Sequence, residues 1–397
     1  MDDFLIWTRT GAMLAVALLL AVITAMFLYQ AVRARRGLRR PTPMNGSQAV
    51  RFGVLIPAHN EAGNMGALMQ SLRDADYPRD RLAVLFVADH CTDDTVREIR
   101  AGGFECLDRQ GGPRGKAAAL AAGLSLLRER LGDKLQAVAF FDADNIVHSR
   151  FFQQAAGALD KGFDIVQGHV SVHNWDTTLF SRLNYMNAMV ENRMEELARS
   201  QSGLSCNLRG HGMVFRRSVL DAVPWKASTM VEDQEMLVRL VLAGRRVVWL
   251  EHARVDSVLP QTAREASTQR KRWAGGRSEL ARRAVPQLWR AWRNSRHRRI
   301  RRLSLHLMID LLLPSHAVQL ALVFAALLLS TAVPGAGSPL WWLAVGLLLA
   351  YMGYFLTGIL LSRVPARALL SIVWAPAFIA WRTWIYLASL GGAKRWR

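Results

Sequence analysis

The sequence predicts an α/β domain with a mostly parallel sheet, flanked by transmembrane helices. Three observations carry this. Apolar runs of strand character repeatedly end in short polar turns and are followed by helical patterns, as consecutive β-turn-α units require. Hydrophobic residues make up 51% of the 397-residue chain, and much of that content is segregated at the two ends. Arginine clusters stand beside those end segments, as they do on the cytoplasmic side of a membrane.

Residues 1–10 read as a short outward-facing N-terminus, and the uncharged stretch 11–32 is long enough to cross a bilayer core of about 30 Å as a helix. Asp2 and Asp3 stand where a signal peptide is basic, and no small-residue cleavage site precedes Arg33, so the segment reads as a retained anchor. Residues 33–50 form a basic linker that turns the middle of the chain toward the cytoplasm.

A second cluster, Arg290 to Arg302, precedes a charge-free stretch from Leu311 to Ser362, which Pro334 to Pro339 divides. This predicts a transmembrane helix over 303–333, with a preceding interfacial turn, and another over 340–362. The segment 368–390 holds Pro376 and Arg382 and is followed by Lys394, Arg395 and Arg397. It is interfacial or re-entrant, with Trp374, Trp381 and Trp384 at headgroup level, or it spans against the charge rule; the tryptophans favour the first.

The formal net charge of +20 is thereby explained by membrane lipids as partners, and no nucleic acid is expected. Cys91, Cys106 and Cys206 show no metal-ligand spacing and are expected as free thiols.

Residues 51–260 carry the cytoplasmic domain. A strand from Arg51 to Ile56 stops at Pro57-Ala58-His59-Asn60-Glu61, and a second, Leu82 to Ala88, ends at Asp89-His90-Cys91-Thr92-Asp93-Asp94. Gly111 to Lys116 fails as a phosphate loop of nucleoside triphosphatases, because Gln110 and Ala117 replace the required Gly and Ser or Thr. Its Gly115-Lys116 pair can still place a cation and a helix N-terminus near an anion, or form an exposed basic turn.

The run Ala139-Phe140-Phe141-Asp142-Ala143-Asp144-Asn145 delivers two carboxylates to a strand end. They suit Mg²⁺ or Mn²⁺, although Asp-x-Asp alone also describes a solvated turn. Asp233 begins a helical run and could take a proton as a base, or with Glu232 merely favour the helix N-terminus. His211 stands between two glycines that permit close backbone approach. Within a basic amphipathic, interfacial segment, 261–302, lie Gln269, Arg272 and Trp273; they could offer positive charge and a flat apolar surface to a ligand, or form a membrane-surface patch.

Taken in order, Val54 to Glu61, Ala88 to Asp94, Arg114-Gly115-Lys116, Phe141 to Asp144, Val231-Glu232-Asp233 and Gln269 to Trp273 resemble the processive and lipid-modifying branches of glycosyltransferase family 2. These branches include cellulose, chitin, hyaluronan and poly-N-acetylglucosamine synthases and ceramide glucosyltransferases. The resemblance implies a GT-A fold that binds a nucleotide-sugar, usually UDP-linked. It implies that Pro57, Glu61 and Asp89 line the nucleoside pocket, with Asp89 near uracil and Lys116 approaching the same region. Asp142 and Asp144 would hold the diphosphate through Mg²⁺ or Mn²⁺, and Asp233 would be the catalytic base. Gln269, Arg272 and Trp273 would close over diphosphate and acceptor, with His211 and Trp273 as acceptor contacts.

Two features depart from the family pattern. Ala88 precedes Asp89 where many relatives have a second acid. The spans are also few for a chain that extrudes its own polymer, which implies an oligomer, an export partner or a short product.

The expected function is an inverting, membrane-bound transferase that moves a sugar from a UDP-sugar to a growing polysaccharide or lipid-linked acceptor at the cytoplasmic face. Transfer of a single sugar to a membrane lipid is the alternative. From another class comes an inactive nucleotide-sugar-binding scaffold of a polysaccharide synthase complex, against which the filled acidic positions weigh. The alanine- and arginine-rich composition points to a bacterial inner membrane.

Overall fold

The computed structural model describes residues 2–39, 41–226, 231–259 and 263–389; Lys394, Arg395 and Arg397 lie outside them. Alternation along β1 (Phe52–Ala58) sends Phe52, Val54 and Ile56 to one face of a sheet and Leu55 to the other, all fully buried. Burial on both faces marks a central strand of an α/β sheet. β2 (Leu82–Asp89) and β4 (Ala137–Phe140) flank it in parallel, with Phe52 opposite both Leu82 and Ala137. β3 (Glu105–Arg109) lies parallel beyond β2.

Past β4 the polarity changes. β7 (Met213–Arg216) is antiparallel to β4 and to β6 (Ile165–Val172), β8 (Val248–Ser257) is parallel to β6, and β5 (Ile146–Val147) pairs antiparallel at the far side. The eight-stranded order is β3-β2-β1-β4-β7-β6-β8-β5. Because β7 runs backwards, with Met213 opposite Phe140, the loop that precedes it arrives at the edge where β1, β2 and β4 end.

One face is covered by α4 (Lys116–Leu131), α9 (Glu232–Leu242), α10 (Ala263–Asn294) and α11 (Arg298–Leu312), through Leu120, Leu124, Leu240, Leu280 and Leu307 among others. The opposite face takes α2 (Gly66–Arg73), α3 (Thr95–Ala101) and α5 (Phe151–Asp160), which contribute Leu68, Ile99, Phe151 and Phe152. At Gly123 a Cβ would lie 2.3 Å from Leu55 Cδ1 and 2.8 Å from Val87 Cγ2. The missing side chain lets α4 press onto β1 and β2, which sets Lys116 at the sheet edge.

Outside the sheet, α6 (Leu179–Glu191) passes through a π-helical turn, Asn192–Glu196, into α7 (Leu197–Gln201), and α8 (Arg217–Ala222) follows β7. α1 (Asp2–Gly37) packs Val16, Leu20 and Ile23 against α12 (His316–Ala332) and α13 (Pro339–Leu361). The chain then continues through α14 (Ala366–Leu369) and a 3-10 turn, Leu370–Trp374, into α15 (Ala375–Ser389). Among the described residues three helices are long and apolar enough to cross a membrane, Trp7–Gly37, Pro339–Leu361 and Ala366–Ala388, or four if the bent pair α11 and α12 is one span.

Two expected boundaries change. The N-terminal ten residues are no separate tail: nothing there breaks a helix, and α1 already begins at Asp2 and runs on to Gly37. Nor is 303–333 one helix. Pro314 has no N–H and holds the preceding Leu313 extended, at φ −67° and ψ 128°, so α11 and α12 meet at a 61° bend. α11 buries Leu303, Leu307, Met308 and Leu311 in the core of the sheet domain instead.

A buried ionic network joins the two parts. The π-helical turn aims Glu195 at Arg33 of α1 (3.9 Å), at Arg199 (2.6 Å) and at His316 of α12. Arg199 also pairs with Glu196 (3.1 Å) and with Asp310 of α11, to which Arg277 of α10 comes within 3.8 Å. Glu196 in turn accepts the Asn207 N–H (2.8 Å) and faces Arg209 (3.5 Å), on the loop that leads to the sheet edge.

Gly123→Val should destabilise the protein by about 1–3 kcal/mol through overpacking. Thermal or denaturant unfolding of the detergent-solubilised chain checks this, and an unchanged midpoint would show that α4 yields.

Candidate active site

Beyond β4 the chain turns through Phe141, Asp142, Ala143, Asp144 and Asn145, and the last of these organises the turn. Fully buried, Asn145 accepts the Asp142 N–H through Oδ1 (3.0 Å) and donates from Nδ2 to Asp144 Oδ1 (3.1 Å). The same Oδ1 faces His211 Nδ1 (3.0 Å), which requires the Nδ1–H tautomer. Burial pushes the His211 pKa down to about 4, so the ring is neutral at pH 7. His211 thus braces the carboxylate turn.

Lys116, the first residue of α4, places Nζ 2.5 Å from Asp142 Oδ1, 3.2 Å from the Gly210 carbonyl and 3.8 Å from Glu232 Oε1. Burial works against both charges of the ion pair, but their attraction prevails: Asp142 is held below the usual carboxylate range and Lys116 above the usual amine range. Asp144 has no such partner, and burial followed by the charges of Asp142 and Glu61 pushes it up to about 6.

Asp233 stands in the first turn of α9, and its Oδ1 accepts the Gln234 N–H (2.8 Å). Burial, reinforced by Glu232, pushes its pKa up to about 7. Gly210, at φ +78°, lies between these groups: a Cβ there would sit 3.4 Å from Lys116 Nζ and 3.7 Å from Asp233 Oδ2. Three separate segments therefore bring Asp142, Lys116 and Asp233 around one glycine.

At the neighbouring strand ends, Asn60 and His90 both adopt left-handed backbone, with φ 54° and 53°. The two turns are laced together, since the Thr92 N–H donates to Asn60 Oδ1 (2.8 Å) and the Glu61 N–H to Thr95 Oγ1 (2.8 Å). Pro57 is half-buried beside them, and burial raises the Glu61 carboxyl above its ordinary range. Asp89 is buried, with Oδ1 on Arg109 and His90 and Oδ2 accepting the Gly115 N–H (2.7 Å). Burial opposes its charge, but the Gly115 N–H and these neighbours hold its pKa low.

Two of the expected site residues have the following partners. Lys116 follows Gly115, whose N–H reaches Asp89, while its own amine lies on Asp142. Asp89, expected near a base, has both oxygens engaged in fixing the loop from Arg109 to Gly115. That loop's amide therefore serves a carboxylate of the protein. Asn145, Arg109 and Glu232 are the site residues to which sequence reading attached no function.

Gln269, Arg272 and Trp273 lie on α10, and Trp273 is 46% exposed. At Gly276, one turn further on, a Cβ would come 2.9 Å from Val231 Cγ1, so the motif flanks the start of α9. Among the described residues no hydrogen bond or ion pair links Gln269, Arg272 or Trp273 to Asp142, Asp144 or Asp233. Arg272 and Trp273 are exposed, although Trp273 lies two turns before Leu280 on the stripe that the helix turns toward the core. Arg270 instead bonds Asn184 of α6 and lies over the Trp381 ring (5.7 Å).

Asp142 and Asp144 fit a hard divalent cation. Their oxygens are the right donors, and the repulsion that raises Asp144 is what a cation between them would relieve. No group of three or more His, Cys, Asp or Glu side chains suited to a metal occurs among the described residues. A cation here would complete its shell with ligand or water oxygens.

With this geometry in hand the comparisons with known proteins decide the family. Residues 50–276 match the family described as Glycosyltransferase like family 2. The chain belongs to glycosyltransferase family 2. A probable glucomannan 4-beta-mannosyltransferase 3 of Oryza sativa subsp. japonica is 29% identical over 252 residues, which are 59% of this chain and 44% of that protein. The probable glycosyltransferase YdaM of Bacillus subtilis (strain 168) is 25% identical over 291 residues, 68% of each chain. The chain spans about half the length of the first of these relatives. Among solved structures, the mannosyltransferase PcManGT from Pyrobaculum calidifontis, in complex with GDP-Man and Mn2+, superposes with a TM-score of 0.59 at 21% identity. The match covers 91% of this chain and 99% of that one. The expected GT-A fold is thus present in this family 2 chain.

The raised Asp233 carboxyl has a consequence for stability. With a folded-state pKa of about 7 against an ordinary 3.8, its ionisation opposes folding. The cost begins as pH rises past the ordinary value and is complete above about 7. Asp233→Asn should therefore be more stable than wild type at pH 8, by roughly 1–2 kcal/mol after allowing for solvent screening, with the gap closing toward pH 4. Melting curves at the two pH values test this, and a variant less stable at pH 8 would show that Asp233 is not raised.

Proposed function

We propose that the chain is a membrane-bound, metal-dependent inverting glycosyltransferase, which moves a sugar from a UDP-sugar to a growing polysaccharide or lipid-linked acceptor at the cytoplasmic face. The observation that carries this reading is the convergence of Asp142, Lys116 and Asp233 around Gly210 at the end of the sheet. Membrane-length helices packed against the same domain support the anchoring, and the Arg33 to Arg36 end of α1 supports the cytoplasmic side.

In this reading Asp142 and Asp144 hold Mg²⁺ or Mn²⁺, which when bound neutralises charge on the departing diphosphate. Lys116 keeps Asp142 ionised and adds positive charge on the same side. Asp233, poised near pH 7, takes the proton of the acceptor hydroxyl as its oxygen attacks the anomeric carbon from the face opposite the leaving group. One bond to the anomeric carbon forms while that to the diphosphate breaks, so the centre inverts and UDP departs. Pro57, Glu61 and Asp89 border the nucleoside, Asp89 by setting the loop beside it. His211 acts by bracing Asp142 and Asp144. Gln269, Arg272 and Trp273 close over diphosphate and acceptor once both are bound, with Trp273 offering its exposed ring to the acceptor sugar.

Relatives named for mannosyl transfer to glucomannan favour polymer extension over transfer of one sugar to a lipid, and the GDP-Man bound in the Pyrobaculum calidifontis mannosyltransferase makes GDP-mannose the competing donor.

The decisive experiment is nucleotide release by the protein in lipid nanodiscs, with a panel of UDP-sugars and GDP-mannose, with and without Mn²⁺ and candidate acceptors. We expect metal-dependent turnover with one donor, lost on chelation. Asp233→Asn should slow it by about 10²–10⁴-fold, and Asp144→Asn should demand more metal. Release with GDP-mannose alone would overturn the UDP assignment; nucleotide binding without turnover for any donor would support the scaffold. In turnover itself, kcat/KM should rise with pH and level off above about 7, as a base that must be deprotonated requires. A profile flat from pH 5 to 9 would remove Asp233 from that role.

A further inference from the structure

Transferase chemistry leaves one feature of α1 unused. Leu28, Val32 and Arg36 are spaced four apart on one helix face, with Tyr29 and Arg33 beside them. With Leu204 and Arg302 they line a groove of about 540 Å³ between α1 and the start of α11. Its character changes along its length. Leu28 and Val32 are 54% and 65% exposed on the apolar part of α1, and the arginines gather where the helix ends. At about 1.5 Å per residue, Arg36 lies roughly 12 Å beyond Leu28. The groove therefore grades from apolar to cationic over the distance that separates a lipid's upper acyl chain from its headgroup.

A second observation concerns Arg33. It is only 6% exposed, yet its Nε and Nη1 have no hydrogen-bond partner among the described residues. Its Nη2 reaches Glu195 at 3.9 Å, and its guanidinium lies 4.8 Å from the Tyr29 ring centroid. Both atoms are shielded from the groove, so Arg33 lends it positive charge from behind without presenting free donors. Arg302 is held at the rim by a 2.6 Å bond from Nη2 to the Ser202 carbonyl.

We propose that this groove binds the anionic phosphate headgroup of a membrane glycerophospholipid, with Arg36 and Arg302 on the phosphate, Arg33 adding charge behind them, and an acyl chain along Leu28 and Val32. The site goes beyond the proposed transfer reaction and shares with that reading only the placement of α1 in a membrane.

The test uses the full chain in nanodiscs of phosphatidylcholine doped with phosphatidylglycerol, delipidated stepwise, with retained lipid counted by mass spectrometry. Wild type should retain phosphatidylglycerol selectively. Arg36→Gln with Arg302→Gln, both exposed positions, should weaken retention by about fivefold for each arginine removed. Val32→Trp should displace the chain with all three arginines intact. Arg290→Gln with Arg293→Gln removes equal charge elsewhere and should change nothing; equal loss there would reduce the effect to general surface attraction and overturn the site. Unchanged retention in both groove variants would overturn it as well. Equal stabilisation of the protein by inorganic phosphate or glycerol 3-phosphate would make it a soluble-anion site and overturn the lipid assignment. Failure of the protein to enter nanodiscs would instead count against the membrane reading, separately from this one.

Discussion

The ion pair of Lys116 with Asp142 sets the protonation of the groups around it, because one ammonium there serves several carboxylates. Lys116 can hold Asp142 ionised at 2.5 Å, but Glu232 is 3.8 Å away and Asp144 is turned toward Asn145. Burial, with like charge adding to it, raises the others: Asp144 is pushed to about 6 and Asp233 to about 7. Like charges in a partly buried place cannot all ionise freely.

Backbone polarity holds that arrangement in place. Parallel β1, β2 and β4 release their turns at one edge, and the reversed β7 brings in the loop of Gly210 and His211 from the opposite direction. Close helix approach at Gly123 fixes α4, and Asn145 ties Asp142, Asp144 and His211 to one amide. The acids are therefore presented by rigid strand ends, although each sits in a turn.

Much of this was legible in the sequence, for identifiable reasons. Asp142, Asp144, Asp89 and Glu61 follow apolar strands directly, so local pattern locates them at the sheet edge. Asp233 was legible only through the order of the motifs, since an acid in a first helical turn is commonplace. What was not legible depends on distant pairing. Arg109 meets Asp89 because the two are register partners of β3 and β2 twenty positions apart. Asn145 follows Asp144 in sequence, but its bonds exist only once the turn has folded. Pro314 could be read as a break, yet that α11 then belongs to the core requires Leu303 and Leu307 to face α9 and α10.

The ionic network around Glu195 and Arg199 bears on how far the two parts of the molecule are separable. Its members come from α1, the π-helical turn, α7, α10, α11 and α12, buried except for Arg277 at the margin. Cutting the chain before Arg51 would strip Arg33 from Glu195, and cutting after α10 would leave Arg199 without Asp310. Glu195 would keep Arg199, and Arg199 would keep Glu195 and Glu196, so the cost is below the roughly 3–5 kcal/mol of a charge left wholly unpaired. The sheet domain nonetheless shares its buried charges with the helices on either side of it in sequence.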